Sequence, residues 1–214
     1  MKKFFLSFFT FMLLLCSLPY QVVLADELDL PAQSAIAVEA DTGKILYEKD
    51  SEKKRDVGGL STLLTTYLIF EAIHEKKLSL KDPIMLSEKA LSLNDIEGAG
   101  TLPMEANQYT VEQLLTALLV GNSSTAALAL AEKVGGSEKS FVENMKKKLA
   151  EWGIQSPHLI NATGLNTQTI SGDPDGKEDE NQLSAEPFEY KMQVPAFNRH
   201  LHFVFIFLCV IGSL

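Results

Sequence analysis

The sequence predicts an α+β fold. Two β-leaning runs flank a turn at residues 41–43, and the chain then carries a series of segments whose apolar residues recur three and four apart. At 214 residues, with 46% hydrophobic and 22% charged side chains, 13 Gly and 8 Pro, it is neither disordered nor collagen-like, and one domain is the expectation. A net charge of −9 disfavours contact with phosphate backbones, so no nucleic-acid partner is expected.

The N-terminus reads Lys2-Lys3, an apolar run from Phe4 to Leu15, a break at Pro19, then Val23-Leu24-Ala25. This pattern predicts a signal peptide over 1–25, cut before Asp26, because the apolar run falls short of the ~20 residues that a membrane span needs. Cys16 follows a bulky Leu15 and is not expected to carry lipid. After cleavage Cys209 stands alone, so no internal disulfide can form.

From Ala35 to Tyr47 the text predicts a hairpin turning at Asp41-Thr42-Gly43. Leu60, Leu63, Leu64, Tyr67, Leu68 and Ile73 recur at helical spacing and predict a buried helix over 60–76. Thr110 and Gln113 form a capping-box pair ahead of a helix with Val111, Leu114, Leu115, Leu118 and Leu119 on one face. After a break at Gly121-Asn122, a small-residue helix over Ala126–Val134 stops at Gly135-Gly136. Ser137 then caps a helix with Phe141, Met145 and Leu149 in register, which ends at Gly153. Lys146-Lys147-Lys148 sit in its last turn and are expected to be solvated, complementing the helix dipole. Ser171 to Asn181 reads as an exposed loop in which nothing packs, and Ser123 and Ser124 read as capping residues. After Ala185 come Pro187, Pro195 and an apolar run from Leu201 to Leu214, centred on Phe203–Leu208, which leaves membrane-surface association open. No internal repeat is visible.

The phrases Ala-Ile-Ala-Val-Glu-Ala-Asp-Thr-Gly-Lys-Ile-Leu-Tyr (35–47), Leu-Leu-Thr-Thr-Tyr-Leu (63–68), Tyr-Thr-Val-Glu-Gln-Leu-Leu (109–115), Ala-Leu-Ala-Leu-Ala-Glu-Lys (127–133) and Asn161-Ala-Thr-Gly-Leu165 resemble the low-molecular-mass penicillin-binding proteins. Within these, the likeness is to secreted, streptococcal-type D-alanyl-D-alanine carboxypeptidases. The resemblance implies a β-lactamase/transpeptidase-like fold, truncated to the hairpin and helical subdomain, with a partial domain over 26–185 and a divergent apolar tail over 186–214. It also implies export across the cytoplasmic membrane to the outer face or wall of a bacterium, peptidoglycan stem peptides and β-lactams as partners, and no cofactor. A text that changes abruptly after Ala185 is the pattern that a truncated or out-of-frame reading would give.

Such enzymes cut terminal D-Ala through an acyl-serine, using Ser-x-x-Lys, Ser-x-Asn and Lys-Thr-Gly. The lysine amine takes the serine proton across one helical turn, and backbone N–H groups hold the oxyanion. Matched without a gap, this chain places Gly59 at the nucleophile and Thr62 at the lysine, with Asn122 and Ser124 at the two polar positions of the second motif. Lys-Thr-Gly does not occur in it. The resemblance therefore implies a carboxypeptidase frame without intact catalytic residues, and the alternative function is a secreted, non-catalytic remnant that binds wall peptides.

No other residue is expected to substitute. Ser61 points about 200° around the helix from residue 59, and Lys53 and Lys54 lie upstream in a charged, solvated stretch. His74 and His158 read as isolated, His200-x-His202 lies in the tail, and no metal site is expected. Asn122-x-Ser124 and Asn161-x-Thr163 match the glycosylation pattern by coincidence.

Overall fold

The structure, a computed structural model, describes residues 30–38, 44–100, 104–154, 157–171, 179–184 and 206–209. The signal peptide with Cys16, the turn at 41–43, the loop over 172–178, His200, His202 and most of the tail lie outside the described residues. Ala32–Leu214 forms one compact unit, and Met1–Pro31 is a second, nearly all of it outside the described residues.

In chain order the elements are β1 (Ser34–Val38), β2 (Ile45–Lys49), β3 (Arg55–Asp56), a 3-10 turn at Gly58–Leu60, α1 (Ser61–His74), β4 (Pro83–Met85), α2 (Glu88–Ser92), a second 3-10 turn at Leu93–Asp95, β5 (Gln108–Thr110), α3 (Val111–Gly121), α4 (Ser124–Gly135), α5 (Glu138–Glu151), α6 (Thr167–Ser171), β6 (Gln182–Leu183) and β7 (Ile206–Cys209). β1 and β2 form the expected antiparallel hairpin, with Ala35 opposite Lys49 and a register shift at Ala37/Val38. The sheet is not the hairpin alone. β7, from the tail, pairs antiparallel with the other edge of β1, giving the order β2-β1-β7. The continuous apolar text of β1, Ala35 to Val38, suits a central strand, and the apolar Ile206–Cys209 supplies its neighbour.

The helices enclose the hydrophobic core. α4 is its centre, with every residue from Ser124 to Ala131 buried. Alanines at four of those positions leave room for neighbouring backbones to approach. α3 starts in the predicted capping box, Thr110 Oγ1 accepting from Gln113 N while Gln113 Oε1 accepts from Thr110 N. Ser137 accepts from Ser140 N at the head of α5, whose Phe141, Met145 and Leu149 are buried as expected.

Four expectations need correction. α1 is buried along Ser61, Thr65, Leu68, Ile69 and Ala72, whereas Leu63 is 52% and Tyr67 40% exposed. Small and hydroxylated residues face the crowded side because they let α4 approach, and the Thr65 hydroxyl is satisfied there by Ala162 O at 2.8 Å. Leu119 is likewise 53% exposed, near the C-terminal end of α3. α4 begins at Ser124 rather than Ala126, because Ser123 caps it through Ala126 N and Ser124 falls inside the helix. Lys148 is not solvated: its ammonium lies 2.8 Å from Glu71 on α1 and 2.8 Å from Glu151.

Candidate active site

The N-terminal approach to α1 is built on glycines and hydroxyls. Gly58 takes φ +45, a conformation that glycine adopts without a Cβ penalty. The turn is then fastened by side chains of the first helical residues: Ser61 Oγ donates to Gly58 O at 2.8 Å and Thr62 Oγ1 to Gly59 O at 2.6 Å. Gly59 itself is exposed.

Opposite Gly59 stands Asn122. It ends α3 in the left-handed conformation at φ 49, which asparagine tolerates and which turns its side chain out of the helix line. A β-carbon built on Gly59 would lie 3.5 Å from Asn122 Nδ2 and 3.7 Å from Oδ1, so any side chain at 59 would reach Asn122 in ordinary van der Waals contact. Behind Asn122, Gly100 at φ +136 comes so near that a β-carbon there would be 2.8 Å from Ser123 Cα. Ser124 N donates to Ala99 O at 2.7 Å, and Ser124 is buried. The structure thus sets Gly59 beside Asn122, ties the Thr62 hydroxyl to the Gly59 carbonyl, and leaves Ser124 buried.

The far side of the turn is a buried polar network. Asn161 is buried, its Oδ1 accepting from Thr163 N and Gly164 N and its Nδ2 donating to Leu165 O, so the carboxamide matching the glycosylation pattern is closed to a glycan. Asn181 overturns the expectation that nothing in 171–181 packs. It is fully buried, with Oδ1 accepting from Ile160 N at 2.8 Å and Nδ2 donating to Ser61 Oγ at 2.9 Å and Asn161 O at 3.0 Å. A buried asparagine that satisfies backbone groups of distant segments leaves no periodic trace in sequence, so no pattern could have singled it out.

The other candidates fall into structural roles. Ser61 faces Asn181, off the Gly59–Asn122 corner as its helical angle predicts. Lys53 pairs with Asp50 at 2.9 Å and holds that carboxyl below its usual range. His158 is not isolated, since Nε2 lies 2.7 Å from Asp179 Oδ1. His74 is exposed, and among the described residues no three His, Cys, Asp or Glu side chains gather to hold a metal. Chemically, the corner offers backbone groups and a neutral carboxamide. Thr62 cannot accept a proton as an amine does, and its own goes to Gly59 O.

A model of the D-alanyl-D-alanine carboxypeptidase family matches residues 21–185. This chain belongs to that family. It is 34% identical over 139 residues to the D-alanyl-D-alanine carboxypeptidase DacF of Bacillus subtilis, covering 65% of this chain and 35% of that protein. Among solved structures, it resembles a peptidoglycan synthesis regulatory factor (PBP3) of Streptococcus pneumoniae, at 47% identity and a TM-score of 0.68, over 73% of this chain and 45% of that one. It also resembles penicillin-binding protein D2 of Listeria monocytogenes in its cefotaxime-bound form, at 25% identity and a TM-score of 0.61, over 75% and 60% of the two chains. The chain therefore spans about a third to three-fifths of the length of these three proteins, and its α+β architecture is a part of the penicillin-binding-protein fold. Among the described residues no helix is long and apolar enough to cross a membrane.

Proposed function

We propose that this chain is a catalytically silent member of the D-alanyl-D-alanine carboxypeptidase family, exported by residues 1–25 and able at most to hold peptidoglycan stem peptides or β-lactams without forming an ester. In this reading Gly59 occupies the nucleophile position, Thr62 that of the lysine base, and Asn122 and Ser124 those of the second motif. The juxtaposition of Gly59 and Asn122 carries the proposal: a β-carbon on residue 59 would lie 3.5 Å from Asn122 Nδ2, and glycine supplies no side chain there.

Acylation requires an oxygen at that position to attack the carbonyl carbon, and an amine one helical turn away to take its proton. Gly59 has no such oxygen. The Thr62 hydroxyl is committed as a donor to Gly59 O and carries no basic lone pair comparable to an amine. In serine hydrolases, loss of the nucleophile alone costs ~10⁶ in kcat, which leaves only binding and oxyanion stabilisation. Family membership supports binding of wall-peptide ends, and the cefotaxime-bound relative supports a β-lactam as probe.

The test is fluorescent-penicillin labelling of the chain lacking residues 1–25, followed by mass spectrometry of its peptides. No covalent band is expected. An adduct mapped to residues 58–66 or to Ser123 or Ser124 would make the chain an active acyl-serine enzyme and end this reading.

A further inference from the structure

Asn181 does more than fill space. Its carboxamide joins three separate segments. Oδ1 accepts from Ile160 N, Nδ2 donates to Ser61 Oγ and Asn161 O, and its backbone carbonyl accepts from Val57 N at 2.9 Å, immediately before the turn that carries Gly59. Ser61 then passes the polarity on. It receives the Asn181 N–H and donates its own proton to Gly58 O at 2.8 Å. Gly58 holds the left-handed φ that starts the turn. The series Asn181 N–H to Ser61 O–H to Gly58 C=O therefore has one direction, fixed by an amide that must donate at its head.

We infer that Asn181 is a positioning residue for the Gly59–Asn122 corner, acting through Ser61 to orient the Gly58 carbonyl and so to set where Gly59 meets Asn122. The inference rests on reading that corner as the site. Ser61 thereby gains a role of its own, since its hydroxyl is the middle of an orienting relay and not a substitute nucleophile. An aspartate at 181 would reverse the relay, because a carboxylate only accepts. The Ser61 proton would then turn toward it, and the Gly58 carbonyl would lose its donor.

The test reads the corner itself. In a Gly59→Cys reporter the new β-carbon falls in ordinary contact with Asn122, and the rate of iodoacetamide alkylation at residue 59, resolved by peptide mass spectrometry, reports how closely Asn122 covers it. Asn181→Asp and Ser61→Ala, each added to the reporter and assayed well below the onset of melting, are expected to speed alkylation about fivefold, the scale of one lost hydrogen bond. The double variant is expected to add nothing beyond the larger single effect, because both break one relay. Unchanged alkylation rates alongside a lowered melting temperature would overturn the inference and leave Asn181 as a stabiliser of the fold alone. Additive effects would overturn it equally. If Asn181→Asp does not fold, Ser61→Ala, which deletes a single oxygen, decides by itself. A penicillin adduct on the unsubstituted chain would end the proposed function without touching this result, and an unchanged rate at residue 59 would do the reverse.

Discussion

Gly164 lies so close to Gly58 that a β-carbon on it would sit 2.1 Å from the Gly58 carbonyl oxygen and 2.8 Å from Ser61 Oγ. The loop over 161–165 is therefore the back wall of the turn that presents Gly59, and it can press there only because residue 164 lacks a side chain and takes φ +79. The obstacle is backbone, which cannot swing aside as a flexible side chain would.

Gly164→Ala is expected to destabilise the protein by about 1–3 kcal/mol, combining overpacking with left-handed strain. Gly153→Ala separates the two causes, since Gly153 has φ +86 but nothing within 4 Å of a β-carbon. It should cost only about 1 kcal/mol. Urea midpoints of the two variants check the difference, and equal losses would mean that the contact with Gly58 contributes nothing.

Helix propensity and packing make opposite forecasts at Gly135. As the last residue of α4, an alanine there gains up to about 1 kcal/mol of intrinsic preference. Its β-carbon, however, would lie 2.8 Å from Phe141 N and 2.9 Å from Phe141 Cα, at the first turns of α5. Packing wins, because Phe141 is fully buried and cannot retreat. Gly135→Ala should lose about 1–3 kcal/mol in denaturant titration, and a gain would show that the α4–α5 junction yields.

Much of this was legible in the sequence, and the reason is local. Thr110 with Gln113, and Ser137, announce helix starts through residues a few positions apart, and Phe141, Met145 and Leu149 repeat at a period that only a helix satisfies. The corner at Gly59 and Asn122 was placed by resemblance. What stayed hidden depends on partners far away in the chain. Thr65 and Ser61 face inward because Ala162 O and Asn181 meet them, and Lys148 is drawn over Glu71 on another helix. The run at 206–209 was readable as apolar, but its pairing with β1 is a choice between sheet and membrane that composition does not make.

Lys148 ties α1 to α5. Burial alone would pull its pKa down, but its hydrogen bonds to Glu151 and Glu71 outweigh that and raise it above the ordinary lysine value. A lysine raised on folding stabilises the folded state at every pH below its unfolded value near ~10.4, and the contribution fades only as pH climbs through the folded value. Lys148→Met keeps the stem and removes the charge. It should cost about 1–2 kcal/mol, between a surface pair and a buried one. That penalty should be flat from about pH 6 to 9 and shrink only in stronger alkali. Unfolding of both proteins across that range measures it, and a penalty that vanishes by neutral pH would contradict the bridge.

Leu63, Tyr67 and Phe70 follow the helical sequence i, i+4, i+7, which places three large apolar side chains in one stripe on the outside of α1. Tyr67 is held edge-on by Trp152, with ring centroids 4.9 Å apart, so the stripe is ordered at its middle. The other two lie 52% and 47% exposed, and the hydrophobic effect that would reward covering them is unspent in the isolated molecule. Leu63→Gln with Phe70→Gln should therefore leave the unfolding free energy within about 0.5 kcal/mol of the unsubstituted chain. The same pair should lower the fluorescence of a bound naphthalene sulfonate dye and the light scattering of concentrated solutions. If dye binding is unchanged while stability falls by several times that amount, these side chains are packed against protein in solution, and the exposed face of α1 is covered.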